Sequence, residues 1–113
     1  MVNFLKETRE EILCSNHIEQ DVMFVGSYDG KYRINWSEFE EIANFEYDNG
    51  HGSQEIASDL IVYFNDGSWL ERCEYDGSEW WFFVDFKSFS NNDSYKKFSK
   101  LIGCWDSLEN INQ

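Results

Sequence analysis

The chain has 113 residues, 42% hydrophobic and 19% aromatic, and a formal net charge of −13. That length suits one domain, residues 1–113, able to bury a core without staples, and the aromatic content excludes a disordered acidic tail. No apolar run approaches the roughly 18 to 20 residues that span a bilayer, and the start, MVNFLKETREE, is charged at once, so a soluble intracellular protein is expected.

Residues 2–14 read as an amphipathic helix, with Phe4, Leu5, Thr8, Ile12 and Leu13 along one stripe and Lys6, Glu7, Arg9, Glu10 and Glu11 opposite. The β-branched run 21–28, the pair Asp29-Gly30 and residues 31–34 predict a first hairpin. Asn35 followed by Glu38 three positions later fits a capped helix start, with Ser37 a rival cap. In that helix Trp36, Phe39, Ile42, Ala43 and Phe45 face inward, and Glu38, Glu40 and Glu41 face solvent. Residues 46–55, with two glycines among polar residues, predict the longest loop.

The stretch 59–86 predicts a three-stranded meander, broken at Asp66-Gly67 and Asp76-Gly77. A polar break at 88–93 leads to a predicted third helix over 94–102, with Tyr95, Phe98, Leu101 and Ile102 inward and Gly103 as its C-cap. The tail from 106 to 113 is expected to fray. The order αββαβββα, with about five strands in an antiparallel meander sheet and about three helices, is an α+β fold.

Charge is distributed unevenly. Residues 1–33 carry six acids and four bases, residues 34–86 thirteen acids against Arg72 alone, and residues 87–113 three acids and four bases, giving −2, −12 and +1. Such a surface repels nucleic acid and membranes and attracts basic proteins by a steering force that salt weakens. A basic protein partner is therefore expected, with no direct nucleic-acid or membrane binding.

Period-two alternation puts Trp80, Phe82, Val84 and Phe86 on one face of the last strand and Trp81, Phe83 and Asp85 on the other. Glu71 and Cys73 share a face with Trp69 and Tyr75, and Arg72 shares the other with Leu70 and Glu74. Arg72 is expected to pair with a neighbouring carboxylate for structure. Core packing does not require the acids Asp66, Glu71, Glu74, Asp76 and Glu79; with Trp80, Trp81 and Asp48 they form the candidate partner-binding set.

No catalytic or metal residue is nominated, and no cofactor is expected. Cys14, Cys73 and Cys104 have no C-x-x-C spacing, and His17 and His51 lack a second ligand at metal-binding spacing. The loop 48–55 offers oxygen ligands but fails the calcium-loop spacing. Its glycines form no phosphate-binding pattern, and no Ser-His-Asp or Cys-His arrangement stands out, so the protein is not expected to be an enzyme.

The segments Glu46-Tyr47-Asp48-Asn49-Gly50, Trp69-Leu70-Glu71-Arg72 and Glu74-Tyr75-Asp76-Gly77-Ser78-Glu79-Trp80-Trp81 give residues 20–86 a resemblance to small acidic proteins of phages and mobile elements in low-GC Gram-positive bacteria. The resemblance implies an anti-CRISPR protein in the cytoplasm of the bacterial host, acting as a nucleic-acid mimic that occupies the basic groove of a CRISPR effector nuclease. The competing readings are an immunity protein against a basic toxin nuclease, a small carboxylate-dependent hydrolase, and an accessory fold that forms a homodimer through the aromatic strand.

Overall fold

A computed structural model describes residues 1–50, 52–85 and 94–113. Its elements are β1 (Val2–Asn3), α1 (Phe4–Cys14), β2 (Val22–Ser27), β3 (Arg33–Ile34), α2 (Trp36–Ala43), β4 (Glu46–Tyr47), β5 (Leu60–Phe64), β6 (Trp69–Tyr75), β7 (Ser78–Val84) and α3 (Leu108–Asn112). The main sheet is antiparallel in the order β3-β2-β5-β6-β7, and β1 pairs with β4 in a second, two-stranded sheet. The α+β class and the 59–84 meander are as expected.

The central strand β5 reads LIVYF, with every residue buried. Such a run needs cover on both faces. One face, through Leu60, Val62 and Phe64, joins the main core with Phe4, Leu5 and Ile12 of α1 and Phe39 and Ala43 of α2. On the other, Ile61 and Tyr63 pack with Phe24, Trp69 and Val84. Both long helices have side-chain caps. Asn3 accepts from Lys6 N at 2.9 Å, and Asn35 accepts from Glu38 N at 2.8 Å while Glu38 accepts from Asn35 N at 3.0 Å. Asn35, rather than Ser37, is thus the cap of α2.

The turns differ in kind. At Asp76-Gly77 both residues have positive φ, 52° and 87°, and Tyr75 faces Ser78 directly, the two-residue hairpin the pair predicts. Gly77 is also packed: a Cβ there would meet Gly52 O at 2.4 Å. At Asp66-Gly67 only the glycine has positive φ, and Phe64 N donates to Ser68 O, closing a wider turn.

Several expectations are corrected. Val2 and Asn3 form β1 before the first helix begins, and Leu13 is 65% exposed rather than inward. The loop predicted over 46–55 opens with β4.

No helix forms within 94–102; the backbone there makes isolated bridges, Lys96 with Tyr32 and Ile102 with Ile56. Lys96 N donates to Lys31 O and Arg33 N to Lys96 O, while Ala57 N donates to Leu101 O and Gly103 N to Glu55 O. Pairing with the β3 edge and the 54–57 segment satisfies backbone groups that a helix would satisfy internally. Phe98 and Leu101 still point inward, but Tyr95 and Ile102 are exposed, and Gly103 caps no helix. The third helix lies instead at Leu108–Asn112, in the tail expected to fray. Ser107 caps it, Leu108 is fully buried and donates its N–H to Asp59 Oδ1 at 2.8 Å, and Asn112 binds back to Lys100. His51, the predicted break at 88–93 and the Phe86 end of the meander lie outside the described residues.

Candidate functional site

Two of the eight nominated residues belong to the core. Strand parity turns Glu79 and Trp81 of β7, with Arg72 of β6, toward the helices, where Glu79 and Trp81 are 2% and 4% exposed. Arg72 Nη2 lies 2.9 Å from Glu79 Oε1, with both side chains fully shielded. Glu79 also accepts from the backbone N–H of Glu55 at 2.6 Å and of Ile56 at 3.2 Å, so its carboxylate fastens the backbone at 55–56 to the sheet. The same guanidinium donates to Tyr47 Oη at 3.0 Å and faces the rings of Phe4, Tyr47 and Trp81. Glu79 is required by core packing, contrary to expectation, because a buried arginine needs a buried counter-charge. The expected structural pairing of Arg72 is present.

Tyr47 passes the network on, donating to Glu7 Oε1 at 2.5 Å, and Arg72 Nη1 stands 3.8 Å from the same oxygen. Burial raises the Glu7 carboxyl above its ordinary value, with Tyr47 and Arg72 opposing, and burial likewise raises the Tyr47 hydroxyl. Trp81 Nε1 donates to Thr8 Oγ1 at 2.9 Å, which satisfies the indole inside the core. Sequence spacing offered no route to Glu7 or Tyr47, which come from α1 and from a two-residue strand.

Asp66 is engaged within the molecule. Ser68 Oγ and Ser68 N both donate to its Oδ1, its Oδ2 lies 2.8 Å from His17 Nε2, and these bonds, the Ser68 hydroxyl's first, lower its carboxyl to about 2. Ser68 Oγ is 3.3 Å from the same His17 nitrogen, so the fold assembles a Ser-His-Asp group that sequence spacing did not suggest. Its geometry is that of a clamp. His17 Nδ1 faces the Ser15 carbonyl at 2.8 Å and Nε2 faces the Asp66 carboxylate, while Ser68 Oγ directs its proton to Asp66 Oδ1 rather than to the imidazole. With His17 stacked on Phe64 at 4.0 Å, the group ties the end of α1 to the β5–β6 turn. Asp48 likewise serves its own loop, accepting from Gly50 N at 3.0 Å.

Glu71, Glu74, Asp76 and Trp80 remain on the β6–β7 hairpin, Glu71 mid-strand and the others toward its turn. Register places Glu71 opposite Phe82 and also opposite Ile61, Cys73 opposite Trp80, and Tyr75 opposite Ser78. Trp80 is 41% exposed, Phe82 52% and Tyr75 76%. Phe82 and Tyr75 were not nominated; the parity that selects Trp80 and Glu71 also selects them. Glu74 accepts from Gly77 N at 2.9 Å, whereas Asp76 projects from the turn tip. Burial first, then the Glu71 charge, pushes the Cys73 thiol up, away from a reactive thiolate.

The buried Arg72–Glu79 pair also sharpens the charge arithmetic. Residues 34–86 hold thirteen acids and one base; removing that pair leaves twelve acids and no base. The hairpin end therefore carries exposed aromatic rings within a segment, residues 34–86, whose remaining charges are all acidic. Surface depressions of about 200 to 490 Å³ beside β3, α2 and the N-terminus are lined by none of the eight residues. Among the described residues no group of three His, Cys, Asp or Glu side chains is placed to hold a metal ion, and no helix is long and apolar enough to cross a membrane. Comparison with protein-family models, curated proteins and solved structures found no match to this chain.

Proposed function

We propose that this protein binds a basic, nucleic-acid-handling protein in the cytoplasm of a bacterial host and blocks the surface on which that partner holds nucleic acid. The observation that carries this reading is the hairpin end, where Trp80, Phe82 and Tyr75 stand exposed beside Glu71, Glu74 and Asp76 in a segment whose remaining ionised groups are all acidic. A groove of arginines and lysines that tracks phosphates accepts carboxylates on a rigid sheet for the same electrostatic reason. The aromatic rings supply the desolvated anchor that charge alone lacks. The resemblance of residues 20–86 to small acidic phage proteins narrows the partner to a CRISPR effector nuclease, with the protein acting as its inhibitor.

The test is affinity capture from a host lysate at low and high salt, run in parallel with wild type and Trp80→Ala/Phe82→Ala. The reading expects nucleic-acid-handling proteins to be retained by wild type at low salt, and to be lost both at high salt and with the double variant. Retention of the same proteins by both forms at both salt concentrations would remove it.

A further inference from the structure

We infer that Glu71 seats a single arginine side chain of the partner, held against the rings of Trp80 and Phe82. The inference rests on the binding reading above and narrows it to one contact.

Of the acids nominated for binding, Glu71 alone combines partial burial with the lack of a partner among the described residues. Glu79 is paired in the core, Asp66 is bound by Ser68 and His17, Glu74 accepts from Gly77 N, and Asp48 accepts from Gly50 N. Asp76 makes no such bond but is exposed at the turn tip, where water solvates it. Glu71 sits mid-strand between Ile61 and Phe82, with Trp69 and Cys73 as its same-face neighbours along β6 and Trp80 on the diagonal. Among the described residues no hydrogen bond or cation engages its carboxylate. A half-buried carboxylate among apolar side chains is less screened by water than one at a turn tip, so an arriving cation is held more strongly there.

The surroundings favour arginine over lysine. Directly opposed strand residues stand about 5 Å apart and diagonal ones about 7 Å. A guanidinium on Glu71 therefore falls within the roughly 6 Å of a ring centroid at which cation–π attraction operates. Its planar fork bonds the carboxylate with two N–H groups while its face lies along an aromatic ring, and an ammonium does not combine the two.

The probes are acetylated hexa-arginine and hexa-lysine peptide amides, titrated at low salt into wild type, Glu71→Gln, Asp76→Asn and Trp80→Ala, with the Glu71 carboxyl carbon and Trp80 indole N–H followed by NMR. Hexa-arginine is expected to shift both signals along one saturation curve and to bind more tightly than hexa-lysine. Glu71→Gln should weaken it about tenfold, and Asp76→Asn less than about twofold despite the same loss of charge. Trp80→Ala, which removes an exposed ring, should abolish the preference for arginine over lysine. Equal losses from Glu71→Gln and Asp76→Asn would overturn the seat and leave the basic-partner reading standing, because binding would then follow total charge. Failure of wild type to bind hexa-arginine at all would overturn both.

Discussion

Replacing Glu79 by glutamine tests the buried network at its centre. The substitution keeps side-chain shape but removes the charge that faces Arg72 at 2.9 Å with both groups fully shielded. It also leaves one acceptor oxygen where the two carboxylate oxygens receive the Glu55 and Ile56 amides. Breaking a buried ion pair from one side costs about 3 to 5 kcal/mol. Glu7, at 3.8 Å from Arg72 Nη1, still offers the guanidinium a counter-charge, which places the expectation at the lower end, about 3 kcal/mol. For a domain of this length that corresponds to a fall of roughly 10 °C in Tm. Urea unfolding of wild type, Glu79→Gln, Arg72→Met and the double variant measures both the loss and the pairwise coupling, expected at about 2 kcal/mol or more. A loss under about 1 kcal/mol, the value of an exposed pair, together with a coupling near zero, would refute the network.

Neighbouring tryptophans should behave oppositely. Trp81→Ala is expected to destabilise by about 3 to 5 kcal/mol, while Trp80→Ala, at a ring 41% exposed, should stay within about 1 kcal/mol in the same urea series. Gly77→Ala combines a φ of 87° with a Cβ 2.4 Å from Gly52 O, so a loss of about 2 kcal/mol is expected by chemical denaturation. Because burial raises the Glu7 carboxyl in the folded state, its protonation favours folding. Wild type should gain stability relative to Glu7→Gln as pH falls from neutral through the raised folded value, levelling off below the unfolded value of 4.5. Asp66 has the opposite sign: held at about 2, its contribution relative to Asp66→Asn is present above 3.8 and is lost as pH falls through about 2. Unfolding curves for the three proteins across pH 2 to 7 measure both effects.

Local rules in the sequence carried the sheet and its turns. Alternation along β6 and β7 correctly paired Trp80 with Phe82 and Trp81 with Phe83, and Asn35 with Glu38 marked the start of α2. Alternation alone does not say which face is the core, because both faces of this sheet are apolar. Glu79 therefore reads as a surface acid, although it shares the parity of Trp81. The false helix over 94–102 has a related origin: Phe98 and Leu101 are spaced for one helical face, yet an irregular segment also turns them inward once its backbone finds partners beside β3 and in residues 54–57. Those partners are more than forty positions away along the chain for Leu101 and over sixty for Lys96, and no local pattern encodes them. For the same reason His17 and Asp66, separated by 49 positions, gave no sign of their contact. Within the candidate site, composition pointed to the acidic, aromatic hairpin, while the distinction between Glu71 and Glu79 depended on burial and bonding.

The central claim is that the exposed end of the β6–β7 hairpin occupies a partner's nucleic-acid-binding surface. Its most direct test is displacement of fluorescently labelled DNA or RNA from the purified captured partner, followed by anisotropy as this protein is added. The account predicts that wild type releases the nucleic acid and that Trp80→Ala/Phe82→Ala, folded as judged by its unfolding transition, does not. A ternary complex in which the partner retains its nucleic acid while bound to this protein would contradict it.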